Sequence, residues 1–179
     1  MTFLFKPLAL LALVLVVHPA CAQSTDEAAA APADPPGIDA PVWLPMAMAT
    51  QKAVQSDRPI MIAALAEWCG WCVRLERDTF ADAEVRGYLA ENFASVKIDV
   101  ESQSDVLFEG QTIPEAQFAS MLGVRGVPAT VILGPDGELL TMISGYYPPE
   151  QFLLMLRYIR EADYDKEDFD DFRERVAGA

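Results

Sequence analysis

Two cysteines separated by two residues, in Ala66-Glu67-Trp68-Cys69-Gly70-Trp71-Cys72, stand where an apolar run gives way to a helical pattern. That junction constrains the fold more than any other stretch. The run before it, Ile60 to Leu65, is apolar without alternation, which predicts a central strand buried on both faces. After it, Val73, Leu75 and Glu76 continue a helix toward Asp78. A cysteine that opens a helix faces unpaired backbone N–H groups and the positive end of the helix dipole, and both favour its thiolate. Cys69 is therefore the candidate nucleophile. Cys72, one turn further in, is placed to resolve a mixed disulfide.

The rest of the chain narrows the chemistry by exclusion. Lys6 and the amino terminus precede an almost purely apolar run, Pro7 to Val17, too short to span a bilayer comfortably. Ala20-Cys21-Ala22 fits the small-x-small pattern of signal-peptidase cleavage, so residues 1–22 are expected to be a signal peptide removed after Ala22. Lipidation at Cys21 is the alternative, although His18-Pro19-Ala20 lacks the aliphatic residue usual three positions before a lipoprotein cysteine. Cleavage would remove His18, the sole histidine, and Cys21, the third cysteine. A Cys-His or Ser-His nucleophile then has no base. A closed zinc site would need two further ligands. No Gly-rich phosphate loop implies a nucleotide or flavin, so no cofactor or metal is expected beyond the Cys69–Cys72 pair itself. A net charge of −14, with no Lys/Arg-rich run, argues against nucleic acid as a partner. In an exported chain, exposed to an oxidising compartment, dithiol–disulfide exchange is the chemistry left.

Residues 23–41 are mostly Ala, Pro and small polar residues and are expected to be a disordered linker. A single α/β domain is expected over 42–160. Trp43, Met46, Ala47, Thr50 and Val54 recur at helical spacing, and Asp82 with Glu84 marks the start of another helix carrying Val85, Leu89 and Phe93. Val96, Ile98 and Val100 alternate as a strand. Glu101 to Thr112 reads as a long connection. Thr112 and Glu115 then suggest a capping box for a helix ending at Leu122-Gly123. Gly134-Pro135-Asp136-Gly137 turns the strand Ala129 to Leu133 into a hairpin with Glu138 to Ser144, and Phe152, Leu156 and Ile159 stripe a final helix. Glu161 to Arg175 holds eight acidic and three basic residues, yet Phe169, Phe172 and Val176 keep helical spacing, so the tail 161–179 is expected to be acidic and helical.

Trp68-Cys69-Gly70-Trp71-Cys72 after an apolar strand, Gly126-Val127-Pro128-Ala129-Thr130, and the Gly134-Pro135-Asp136-Gly137 hairpin together resemble the thioredoxin superfamily. Leu75-Glu76, Thr79-Phe80-Ala81-Asp82, Val85 and Val96-Lys97-Ile98-Asp99-Val100 resemble the C-terminal domain of thiol-disulfide interchange proteins of the DsbD type. Gly145-Tyr146-Tyr147, Phe152 and Leu156-Arg157-Tyr158-Ile159 look more like exported thioredoxins of the SoxW type. The resemblance implies a thioredoxin fold, with a central mixed sheet of about four strands flanked by helices. It also implies a monomeric periplasmic thiol-disulfide oxidoreductase that reduces disulfides of partner proteins and is recycled by a membrane electron-transfer protein.

Carried onto matching residues, the resemblance makes Cys69 the attacking thiolate and Cys72 the resolving thiol. Pro128 becomes a cis-proline facing them, with Val127 offering its backbone to an extended substrate segment. Trp68, Gly70 and Trp71 join Val127 and Pro128 as the substrate-binding surface. Glu76, four residues after Cys72, either tunes the cysteines and relays a proton or is a solvated helix acid. The chain departs from ordinary thioredoxins where they bury an aspartate six residues before the first cysteine, a position held here by Ala63. It departs again at Gly70-Trp71, where Gly-Pro is usual, and at Val73, where a lysine is usual. An oxidase or isomerase would use the same residues at another potential. A redox-silent binding module would keep Cys69–Cys72 as a permanent staple.

Overall fold

The computed structural model describes residues 41–162 and 166–178. The expected signal peptide and, apart from Pro41, the expected linker lie outside the described residues. In chain order the elements are α1 (Met46–Ser56), β1 (Ile60–Leu65), α2 (Gly70–Arg74) running into a π-helical segment (Leu75–Phe80), α3 (Ala83–Asn92) and β2 (Ala94–Asp99). They continue with β3 (Asp105–Phe108), β4 (Gln111–Pro114), α4 (Glu115–Met121), β5 (Ala129–Leu133), β6 (Leu139–Ser144), α5 (Pro149–Glu161) and α6 (Phe169–Ala177). The main sheet has the order β2-β1-β5-β6, with β1 parallel to β2 and antiparallel to β5. It is the mixed four-stranded sheet flanked by helices that the sequence predicts.

All six residues of β1 are buried. Because successive side chains of a strand point to opposite faces, the strand feeds two cores. Ile60, Ile62 and Ala64 join Met46, Ala49 and Ala53 of α1 with Phe118 of α4 on one side. Met61, Ala63 and Leu65 join Val85, Leu89, Phe152 and Leu156 on the other, and this second core also holds Cys69 and Cys72. Burying each large aliphatic side chain contributes about 1.5–3 kcal/mol, so the strand that delivers the cysteines is firmly anchored, as is its neighbour β5, also buried along its whole length.

Several local expectations need correction. The buried stripe of α1 is Met46, Ala49 and Ala53, while Ala47 and Val54 face solvent; alanine lets the helix lie close to the sheet, and hydropathy alone favoured the valine. The helix after the cysteines is not α-helical to Asp78, because at Leu75 it passes into π geometry, with the Ala81 N–H donating to the Glu76 carbonyl five residues back. The connection from Glu101 is a hairpin, β3–β4, whose two-residue loop Glu109-Gly110 has positive φ at both positions, 50° and 75°. Such loops favour Asn-Gly or Asp-Gly, and a glutamate in the first place hid the turn. Its tip lies against Gly137 of the β5–β6 turn, at the end of the sheet opposite the cysteines.

The Thr112–Glu115 capping box does not form. Thr112 belongs to β4, Pro114 precedes α4 without a side-chain cap, and Glu115 Oε2 accepts from the Asp99 N–H at 3.0 Å. The Asp82 cap of α3 does form, accepting from the Glu84 and Val85 N–H groups at 3.0 Å each. In the tail, α6 is capped by Asp168 and buries Phe172 against Tyr158 of α5, ring centroids 5.4 Å apart.

Candidate functional site

β1 ends at Leu65, and a tight turn through Trp68 brings Cys69 to the start of α2, where it occupies the cap position with extended backbone. The Cys69 N–H donates to the Ala66 carbonyl at 3.1 Å. The Cys72 N–H donates to the Cys69 carbonyl at 2.9 Å and to Cys69 Sγ at 3.1 Å. That last donor points at the sulfur which, once reduced, would carry negative charge; it stabilises the anion as an N-cap side chain is stabilised. The two cysteines form a disulfide with Cα atoms 5.2 Å apart. Both cysteines are buried, Cys69 at 5% exposure and Cys72 at 1%.

In the segment that carries the disulfide, Trp68, Trp71 and Val73 are all more than half exposed, among the exposed charges of Glu67 and Arg74. Gly70 is exposed between them, with open space at its α-carbon. Trp71 lies 5.6 Å from Tyr146 ring to ring, and the Arg74 guanidinium sits 5.3 Å from the first and 4.8 Å from the second.

The Val127–Pro128 peptide bond is cis. Val127 packs against the core that contains the cysteines, and Pro128 is buried. Beside them runs a groove of about 350 Å³ lined by Arg125, Gly126, Val127, Pro128, Met142 and Ser144 among others. The Pro128 carbonyl accepts from the Gly145 N–H at 2.8 Å, which ties this loop to the segment carrying Tyr146.

Glu76 is not a free helix acid. Its Oε1 meets Lys97 Nζ at 3.3 Å, with both side chains about one third exposed. Lys97 stands in register with Ala63 in the parallel β1–β2 pair, while Val96 and Ile98 point to the other core; the ion pair therefore lies on the sheet face that carries the cysteines. Lys97 Nζ is also 5.9 Å from the Trp43 ring. Ala63 itself is fully buried. Among the described residues no cluster of three or more His, Cys, Asp or Glu side chains could hold a metal ion.

Sequence reasoning brought forward Cys69, Cys72, Trp71 and Glu76 but missed Lys97, Arg74 and Thr79. Thr79 is completely buried, and its hydroxyl donates to the Tyr147 carbonyl at 2.7 Å. A polar residue between Asp78 and Phe80, followed by an aromatic, carries no sign of that bond. The pairing of Lys97 with Glu76 was open to inference only once β1 and β2 were known to be parallel neighbours.

A sheet of this order with a capped dithiol at the end of its central strand defines a thioredoxin fold. A family model described as a thioredoxin-like domain matches residues 46–160, and the chain belongs to that family. Human spermatogenesis-associated protein 20 is 33% identical over 113 residues, covering 62% of this chain and 14% of that protein. The thiol:disulfide interchange protein DsbD of Ralstonia nicotianae is 32% identical over 110 residues, covering 61% of this chain and 17% of its own length. The chain thus spans only about one sixth of these curated relatives. Among solved structures, a thioredoxin-fold protein from Helicobacter pylori superposes with a TM-score of 0.59 at 21% identity, covering 68% of this chain and 81% of that one. A thioredoxin from Thermus thermophilus does so with a TM-score of 0.55 at 24% identity, covering 67% and 87%.

Proposed function

We propose that this protein is an exported thiol-disulfide oxidoreductase that reduces disulfides in partner proteins. The observation that carries the reading is the asymmetry of the pair: Cys69 caps a helix with its sulfur accepting a backbone N–H, while Cys72 lies within the first turn of that helix and donates it. In the reduced protein the Cys69 thiolate attacks one sulfur of a partner disulfide. A Cys69–partner bond forms, and the partner's other sulfur leaves as a thiolate. Cys72, deprotonated, then attacks Cys69 Sγ; the Cys69–Cys72 bond forms and the second partner thiolate departs. The partner has gained two electrons and two protons, and the dithiol is oxidised.

Trp68, Gly70 and Trp71 receive the partner chain on one side of the cysteines. Val127 and Pro128 receive it on the other, with Val127 supplying backbone to an extended segment. Glu76, paired with Lys97 on the same sheet face, accepts and returns the proton that Cys72 must lose, in place of the carboxylate that Ala63 does not provide. The apolar run Pro7 to Val17 with its Ala20-Cys21-Ala22 site supports export to the periplasm, and the similarity to DsbD supports a membrane electron-transfer protein as the donor that re-reduces Cys69–Cys72. No cofactor takes part, and the acting species is a monomer.

The test is equilibration of the mature protein in graded thiol buffers. A potential near the thioredoxin level, about −270 mV, agrees with a reductant. A value near about −120 mV turns the assignment to disulfide formation. A pair that no buffer reduces while the protein stays folded makes it a structural staple in a binding module.

A further inference from the structure

Three consecutive residues after β6 each hold a different part of the site. The Gly145 N–H donates to the Pro128 carbonyl at 2.8 Å, Tyr146 lies against Trp71 and Arg74, and the Tyr147 carbonyl accepts the Thr79 hydroxyl at 2.7 Å. The backbone on either side of Tyr146 is thus tied to the proline loop and to the helix that carries the cysteines.

Trp71 sits inside the disulfide ring and is 56% exposed. An indole with that much freedom would sample several rotamers unless something held it. Arg74, three residues on and so on the same helix face, lays its guanidinium near both rings at 5.3 and 4.8 Å. Asp78, four residues further, accepts from Arg74 Nε at 3.2 Å and fixes it in turn. Asp78 also takes Arg77 Nε at 2.7 Å, and these two arginines hold its carboxyl below the usual carboxylate range, Arg77 contributing most. The acid therefore stays charged throughout the neutral range, shared between Arg74 and Arg77.

We propose that Tyr146 and Arg74 are positioning residues for disulfide exchange. They hold Trp71 in one orientation beside Cys69 and so build a platform for an apolar or aromatic side chain next to the partner's cystine. The proposal rests on the oxidoreductase reading above. The chemistry of the occupant is set by the surface: two aromatic faces with a guanidinium plane beside them offer stacking and apolar contact.

The test uses two synthetic peptides, each with one intramolecular disulfide and identical except for Phe or Ser beside the cystine, together with hydroxyethyl disulfide, which is too small to span the platform. Wild type should prefer the Phe peptide. Tyr146→Ala should raise KM for the Phe peptide about fivefold to tenfold relative to the Ser peptide, with a smaller loss on hydroxyethyl disulfide and no change in potential; Tyr146→Phe should restore the preference. Arg74→Met should act in the same direction, and in a background with Trp43→Phe and Trp68→Phe, where Trp71 is the sole indole, the emission should move to longer wavelength. Equal KM changes for both peptides, an equal loss on hydroxyethyl disulfide, or a shifted potential would each overturn the platform. Wild-type reduction of both peptides without preference sinks the platform alone, whereas no reduction of any of the three substrates sinks the oxidoreductase reading beneath it.

Discussion

Lys97 of β2 and Glu76 of the π-helical segment meet at 3.3 Å on the face of the sheet that holds Cys69 and Cys72. On the proposed reading this carboxylate takes the proton of the resolving thiol. In Glu76→Gln the first attack on a partner disulfide should persist, while release of the mixed disulfide slows about tenfold or more. Single-turnover measurement of both steps between pH 6 and 9 checks this. Unchanged release across that range would leave Glu76 a surface acid with a salt bridge.

Position in the helix divides the roles of the two cysteines. Cys72→Ser should accumulate a covalent complex with a disulfide substrate, visible as a mass increase that dithiothreitol removes, because the partner sulfur on Cys69 has no internal thiol to displace it. Cys69→Ser should give no such complex, since Cys72 is 1% exposed. Complexes through Cys72 in the second variant would reverse the assignment.

Thr79 supplies a completely buried hydroxyl to the Tyr147 carbonyl. Thr79→Val keeps the shape and removes the donor, leaving that carbonyl unsatisfied at a cost of about 1–3 kcal/mol. Urea unfolding monitored by tryptophan fluorescence should show a lower midpoint at unchanged slope, and Thr79→Ser should recover most of it. A Val variant as stable as wild type would mean that water replaces the bond.

Burial, and next the hydrogen bond its hydroxyl donates to Glu161 Oε1 at 3.0 Å, raise the Tyr88 phenol well above its ordinary range. The neutral form is the one the fold favours. The stabilisation is complete below the unfolded phenol value of about 10 and is lost as pH rises beyond it, where the unfolded chain holds fewer protons than the native one. Stability measured from pH 9 to 11 should fall less steeply in Tyr88→Phe than in wild type, and parallel slopes would count against the effect.

Phe172 is fully buried although it belongs to a strongly acidic tail. Phe172→Ala should remove about 3 kcal/mol where α6 and the body unfold together. Because α6 packs on α5 through Tyr158, the first sign should be faster amide exchange confined to 169–177. Protection of those amides equal to wild type would show that the other contacts of α6 suffice.

The parts of this molecule that could be read from its residues are those where one local pattern has one physical solution. Ile60 to Leu65 has no polar residue to place outward, so it is a doubly buried strand, and a dithiol behind it lands at a helix start. Asp82 can cap α3 without help from distant residues. The features that escaped depend on tertiary neighbours. Lys97 looked like the polar half of an alternating strand, and only the parallel pairing with Ala63 sends it toward Glu76. Nothing local in Gly145-Tyr146-Tyr147 tells where Tyr146 lies, because the segment is tied by bonds from Gly145 to Pro128 and from Thr79 to Tyr147, across 17 and 68 residues of chain. The β3–β4 turn was masked by Glu109 where asparagine or aspartate would have announced it.

The π-helical segment gives one helix two independent phases. Its wider winding accumulates, by its end at Phe80, a rotation of about 100° relative to an uninterrupted α-helix, so Thr79 and Phe80 need not share the angular register of Cys69 to Arg74. Deleting a single residue there would return the helix to ordinary winding while leaving the cysteines and their cap untouched. The Tyr147 carbonyl would then face a different side chain. The cysteine pair and the buried bond that anchors Tyr147 can thus be re-aimed against each other by a change in chain length, without any change in the residues themselves.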